Sequence, residues 1–186
     1  MTTRKAWRAW LEKNHARKKE IWLVYATKKS GKGRVAYSDA VEEALCFGWI
    51  DGTVKSIDEN YFVQRFRPRR SAKSQLSETN KERVRRMIRA GLMTPAGLEK
   101  IRGRMNEQFV LPPDIAAAFR RDSKTWKNFQ RFSKWYQRIR VGWLDMSRNN
   151  VSLFQSRLRF FLKMTALNKR YGQVHDTTVK ERSRFR

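Results

Sequence analysis

The stretch AVEEALCFGWIDGTVKSIDEN, Ala40 to Asn60, decides the fold, because within it the hydrophobic period changes from helical to extended with no proline at the change. Val41, Ala44, Leu45 and Phe47 fall on one helical face, Gly48 can close that helix in a left-handed conformation, and Trp49 to Ile57 then reads as a strand. A helix is expected to feed directly into a sheet. Asp51 stands at this junction between Ile50 and Gly52, where apolar neighbours can partly desolvate a carboxylate.

Working upstream, Ala6, Trp7, Trp10, Leu11 and Asn14 recur at three- and four-residue intervals and predict an amphipathic helix over 3–18. Ile21 to Thr27 reads as a strand closed by a turn over 28–33, and the Gly31-Lys32-Gly33 there lacks phosphate-loop spacing. Ser38 is placed as an N-cap, with Asp39 and Glu42 complementing the helix dipole. Downstream, Asp58-Glu59-Asn60 carries hairpin chemistry leading to a second run, Tyr61 to Phe66, which Pro68 ends.

Thr79 and Glu82 form a capping-box pair before a helix over Val84, Met87 and Ile88 that Gly91 can close, and Thr94-Pro95 starts a short helix through Ile101. Pro112-Pro113 precedes another. From Thr125 a single long helix is expected, with Thr125, Phe129, Phe132, Tyr136, Ile139 and Trp143 inward and Gly142 as a point of interruption. Val151, Phe154, Leu158, Phe161 and Leu162 define a last long helix. The fold class is α+β, a small antiparallel sheet in residues 20–67 with packed helices, followed by a helical C-terminal module. The expected division is an α+β lobe over 1–104, the helical module over 105–172 and a basic, mobile tail over 173–186.

The net charge is +26, and it grows along the chain: residues 1–60 carry 12 basic and 8 acidic groups, 61–110 carry 13 and 4, and 111–186 carry 18 and 5. Such a balance attracts polyanions with an affinity that falls as salt rises. Seven Trp, eleven Phe and five Tyr supply a core, so the low mean hydropathy reflects charge rather than disorder. One cysteine excludes an internal disulfide, and two histidines, His15 and His175, are too few and too far apart for a zinc site. No secretory or membrane-spanning run is present in the sequence, and a reducing cytoplasm is expected.

Three groups of candidate residues emerge. Arg67, Arg69, Arg70 and Lys73, leading to Ser77 and Asn80 at a helix start, suit a phosphate or carboxylate; the alternative is that they solvate a strand end and pair with Asp51 or Glu59. Lys127, Arg131, Lys134 and Arg138 form a stripe with no acid over 123–144, joined by Arg159 and Lys163 on the last helix; Trp126 and Trp135 flank it, for stacking or for the core. Trp49 and Asp51 are cleft candidates, Asp51 reading either as a structural ion-pair partner or as a general acid or base. Cys46 reads as a small buried side chain, with a nucleophile as the alternative. No catalytic constellation, metal site or cofactor motif is assigned.

The segments WLEKNH (10–15), ALCFGWIDG (44–52), RFRPRR (65–70), Ser77 to Asn80, MTPAGL (93–98), IRVGWLD (139–145), Arg157-Leu158 and LNKRYG (167–172) together resemble the YdeI/OmpD-associated, or bacteriocin-protection, family. Where that family tends to carry a tryptophan between two serines, this chain has Ser74-Gln75-Leu76-Ser77. The resemblance implies an α+β lobe with a helical module and no established chemistry. The function expected is a non-enzymatic stress or peptide-resistance protein whose basic surface binds a polyanion such as RNA or DNA. The alternatives are a small-molecule enzyme or sensor with a cleft around Trp49, Asp51, Arg69 and Asn80, and peripheral contact with an anionic membrane.

Overall fold

A computed structural model describes residues 1–71, 74–105 and 108–172. The expectations for Lys73 and for the 173–186 tail lie outside the described residues. The chain divides into two compact units, Met1–Glu107 and Gln108–Arg186.

In the first unit the elements run α1 (Arg4–Asn14), β1 (Ile21–Ala26), a 3-10 turn (Lys28–Ser30), α2 (Tyr37–Cys46), β2 (Trp49–Ser56), β3 (Tyr61–Pro68), α3 (Glu78–Arg89) and α4 (Pro95–Glu99). The three strands form an antiparallel sheet in the order β1-β3-β2. Strand alternation turns Leu23, Tyr25, Trp49 and Phe66 toward the helices, where all four are buried. Asp58 Oδ1 accepts from the amides of Asn60 at 2.7 Å and Tyr61 at 2.8 Å, which closes the β2-β3 hairpin.

Helix α2 is the centre of this unit: α1, β2, α3 and α4 all pack against it, and every residue from Ala40 to Cys46 is buried. Its end is held by two devices. Gly48 adopts φ 75°, the left-handed conformation that turns the chain into β2. Thr94 then donates to the Cys46 carbonyl from its amide at 3.0 Å and its hydroxyl at 2.7 Å, and α4 comes so close that a Cβ on Gly97 would sit 2.1 Å from that carbonyl oxygen.

Three helix starts or ends differ from expectation. The first helix spans Arg4–Asn14, because Thr3 caps it and the Arg17 and Lys18 amides both turn back to the Asn14 carbonyl. Helix α2 starts at Tyr37 with Ala36 at the cap position, so Ser38 lies inside its first turn. Ser77, not Thr79, caps α3 by accepting from the Asn80 amide at 3.3 Å, and Glu82 turns to Arg85 and Arg89.

The second unit holds α5 (Pro113–Arg120), α6 (Ser123–Arg131), α7 (Lys134–Asp145) and α8 (Val151–Ala166). Ile115, Phe119, Phe129, Tyr136, Leu144 and Phe161 fill its core. The single helix expected from Thr125 to Trp143 is in fact two. Phe132 is extended (φ −65°, ψ 145°), and the buried Gln137 donates its amide to the carbonyls of Phe129 at 3.0 Å and Phe132 at 2.8 Å. The bond to Phe132 gives a partner to a carbonyl beyond the helix end, and the bond to Phe129 adds to the one its carbonyl accepts from the Phe132 amide at 3.2 Å. Gly142 does not interrupt anything and lies within α7.

Candidate binding site and basic surfaces

The strongest electrostatic feature of the first unit lies along α2. Asp39, Glu42 and Glu43, the last two buried, meet arginines from other helices: Arg4 reaches all three (3.1, 3.1 and 2.6 Å), Arg8 reaches Glu43 at 2.7 Å, and Arg86 of α3 pairs with Glu42. Burial raises the Glu42 carboxyl against the opposing pull of Arg86 and Arg4. Burial also works against the Arg4 charge, but Glu43, Glu42 and Asp39 outweigh it and hold its pKa above the ordinary value. The sequence shows Asp39 and Glu42 only as dipole-complementing acids, since periodicity does not reveal which helix will face them. Cys46 lies at the end of this row, fully buried, its thiol pushed up to about 12 by burial and by Glu43, so the small-buried-residue reading describes it.

Asp51 is set differently. The register of β2 against β3 shifts between Asp51 and Val54, where three steps on one strand match two on the other, so a bulge at Gly52-Thr53 breaks the ladder beside the carboxylate. Its Oδ2 accepts from Tyr37 Oη at 2.8 Å and from Gln64 Nε2 at 3.2 Å, both neutral donors. Next to this group the Tyr25 hydroxyl is buried without a hydrogen-bond partner. Arg83 lies over the Tyr37 ring at 5.8 Å, and Arg34 donates to the Ala26 carbonyl at 2.8 Å.

Burial first, then the charge of Asp51, pushes the Tyr37 phenol up to about 12, although nearly half of the residue is exposed; its hydroxyl end is turned in toward the carboxylate. Tyr25 is pushed well above the ordinary phenol value, again chiefly by burial. Both phenols therefore remain protonated donors at neutral pH. The cluster can accept and donate hydrogen bonds to a ligand, and neither phenol is a base there. Tyr37 and Gln64 were not legible as partners of Asp51, because they come from two different elements, α2 and β3.

The other residues singled out for an anion or a cleft are dispersed. Trp49 is buried in the core, donating to the His15 carbonyl at 3.1 Å. Arg69 is buried as well; Nη2 donates to Ser74 O at 2.8 Å and Nε to Lys100 O at 3.4 Å, so it shares no partner with Asp51. Burial, with Arg104 nearby, lowers its pKa. Arg67 lies on the opposite face of β3 from Phe66, half-buried, and Arg70 is exposed. Ser77 is occupied as a cap, and Asn80 Oδ1 accepts from Arg83 at 2.7 Å.

In the second unit, Lys127 and Arg131 lie on α6, Lys134 and Arg138 on α7, and Arg159 and Lys163 on α8. All are exposed except Arg138, which is half-buried. The break at Phe132 and Ser133 means that the first four do not form one helical stripe. Trp126 stacks on Phe129 at 5.7 Å and Trp135 meets Tyr136 edge-on at 6.0 Å, so both lean on the core. Residues 108–172 contain fourteen basic and three acidic side chains. Asp114 and Asp145 both pair with Arg148, and Asp122 caps α6 through the Thr125 amide at 2.8 Å.

Among the described residues no group of three His, Cys, Asp or Glu is arranged to hold a metal ion, and no helix is long and apolar enough to cross a membrane. Comparison with protein families gives two matches. Residues 1–100 match the Domain of unknown function (DUF8412), and residues 108–168 match the family described as Bacteriocin-protection, YdeI or OmpD-Associated. The N-terminal segments whose resemblance pointed to the second family thus lie within the first match, while IRVGWLD and Arg157-Leu158 lie within the second. Neither a curated protein nor a solved structure matches the chain. The chain belongs to the family of the Domain of unknown function (DUF8412) through its first unit, and its second unit carries the bacteriocin-protection, YdeI or OmpD-associated domain.

Proposed function

We propose that this is a non-enzymatic protein that binds RNA or DNA without sequence specificity, through the basic helices of its second unit. The observation that carries this reading is the disposition of acids over 108–172: two are taken by Arg148 and the third by a helix cap, which leaves Lys127, Arg131, Lys134, Arg159 and Lys163 exposed without an ion pair among the described residues. Exposed, uncompensated cations gain most from releasing the counterions of a polyanion.

The test is retention on single- and double-stranded nucleic acid over a range of salt. Log affinity should fall linearly with log salt, and Lys127→Gln, Arg131→Gln and Lys134→Gln together should reduce that slope by about 2 to 3. No retention at low salt would remove the proposal. Binding to anionic vesicles but not to nucleic acid would replace it with peripheral membrane contact.

A second reading, a small-molecule sensor or enzyme at Asp51, is favoured by the unpartnered Tyr25 hydroxyl next to the Tyr37–Asp51–Gln64 cluster. A ligand recovered with the protein and lost in Asp51→Asn would support it. Equal ligand recovery from both would count against it.

A further inference from the structure

Arg140, in the middle of α7, is only 8% exposed and is enclosed by aromatic rings: its guanidinium carbon lies 5.7 Å from the Tyr136 centroid, 5.8 Å from that of Trp143 and 4.9 Å from that of Tyr171. Rings of this kind suit a cation, but they do not complete the hydrogen bonds of a guanidinium, which presents five N–H donors. Its Nε is buried with no hydrogen-bond partner. No carboxylate of the described second unit reaches it, since Asp114 and Asp145 are held by Arg148 and Asp122 by its cap.

Two further groups converge on the same cage. The hydroxyl of Tyr171 is buried, and its O–H meets no acceptor among the described residues. Arg157, from α8, lies over one of these rings, 4.0 Å from the Trp143 centroid, and donates to the Trp143 carbonyl at 3.0 Å. Burial raises the Tyr171 phenol, while the charge of Arg140, a hydrogen bond from its guanidinium to the phenol oxygen and the charge of Arg157 oppose that rise, so the hydroxyl senses both guanidinium groups. Against the outer side lies Gly172 at φ 82°, where a Cβ would be 2.7 Å from Arg140 Nη1 and 2.8 Å from Nη2. Gly172 thus packs its backbone against that end of the guanidinium, where a side chain would clash.

A buried guanidinium with no counter-ion among the described residues is costly, and two donors without acceptors in one cage give an oxyanion what it requires: charge, aimed N–H and O–H groups, and little competing water. We infer that Arg140, Arg157 and the Tyr171 hydroxyl form a binding site for a single oxyanion, a phosphate group. The site is separate from the exposed cations assigned to nucleic acid. A chain that bound no nucleic acid could still hold phosphate here, and one that bound it through the surface lysines could lack this site.

The experiment is a titration of the full chain with inorganic phosphate at constant ionic strength, balanced with chloride, following the Trp143 indole N–H resonance and the melting temperature. A saturable shift of that resonance and a rise in melting temperature are expected. Tyr171→Phe, which keeps the ring, should weaken phosphate binding several-fold, and Arg140→Met should weaken it at least about tenfold, the scale of a lost charge-assisted hydrogen bond. In phosphate-free buffer Arg140→Met should melt no lower than the wild type, because it removes an uncompensated charge. Equal phosphate responses in wild type, Tyr171→Phe and Arg140→Met would overturn the site and leave a general effect of exposed cations. Dimethyl phosphate distinguishes the source: binding equal to that of inorganic phosphate assigns the site to a phosphodiester, and binding of the inorganic ion alone assigns it to free phosphate or a monoester.

Discussion

The two units treat their charges in opposite ways. In the first, buried carboxylates on α2 are reached by arginines from α1 and α3, so the acids join helices and few are left to neutralise the surface. In the second, acids are few, and two of the three over residues 108–172 are spent on one exposed arginine. The same amino-acid types therefore do different work. Inside, a missing partner leaves a desolvated charge; on the surface, a missing partner costs little and leaves a cation free to meet something else.

The largest effect should come from breaking the inner lattice. Glu43→Gln leaves Arg4 and Arg8 short of their shared carboxylate and should cost about 3 kcal/mol in denaturant unfolding. The matching change outside, Arg148→Met, should cost at most about 1 kcal/mol, because its pairs with Asp114 and Asp145 are exposed. Equal losses for the two would erase the distinction between the units.

Gln137→Met sharpens the same comparison from the neutral side. It keeps the side-chain volume but strips hydrogen bonds from the carbonyls that end α6, and about 2 kcal/mol should be lost. If stability is unchanged, the break between α6 and α7 is held by Phe132 packing instead.

The alkaline limit tests Asp51. The folded chain holds the Tyr37 proton up to about 12, against an ordinary value of 10, so this contribution to stability is complete below pH 10 and lost as pH rises toward 12. Tyr37→Phe should flatten the pH dependence of melting over that window and leave it unaltered at neutral pH. An unchanged profile would mean that neither burial nor Asp51 holds the phenol proton in solution. The smallest effect belongs to the surface: Lys127→Gln, Arg131→Gln and Lys134→Gln should each change stability by no more than about 0.5 kcal/mol, while together lowering the salt slope of nucleic-acid binding.

Much of the architecture is legible from local chemistry. Gly48 and Gly91 close their helices with positive φ, Thr94 and Pro95 start α4, and both extended runs form strands with the turn at Asp58 between them. The α+β class follows from these. What misleads is a period that continues across a break: Phe129, Phe132 and Tyr136 keep helical spacing and are all buried, but Phe129 is on α6, Tyr136 on α7 and Phe132 in the extended break between them, where a buried glutamine donates to its carbonyl. The candidate sites are less legible. Asp51 is identifiable as an acid at a strand start, but its partners Tyr37 and Gln64 are not, and Arg140 carries no mark in the sequence that separates it from Arg138.

By itself, then, the sequence determined the helix-to-sheet junction at Ala44 to Gly52, the order of helices and strands, and the accumulation of positive charge toward the C-terminus, since caps, turns and composition act over a few residues. Tertiary structure alone decided which charges are buried against carboxylates, as along α2, and which are buried with no carboxylate among the described residues, as at Arg140. Desolvation depends on what the fold brings within a few ångströms, and residues many positions apart in the chain supply it.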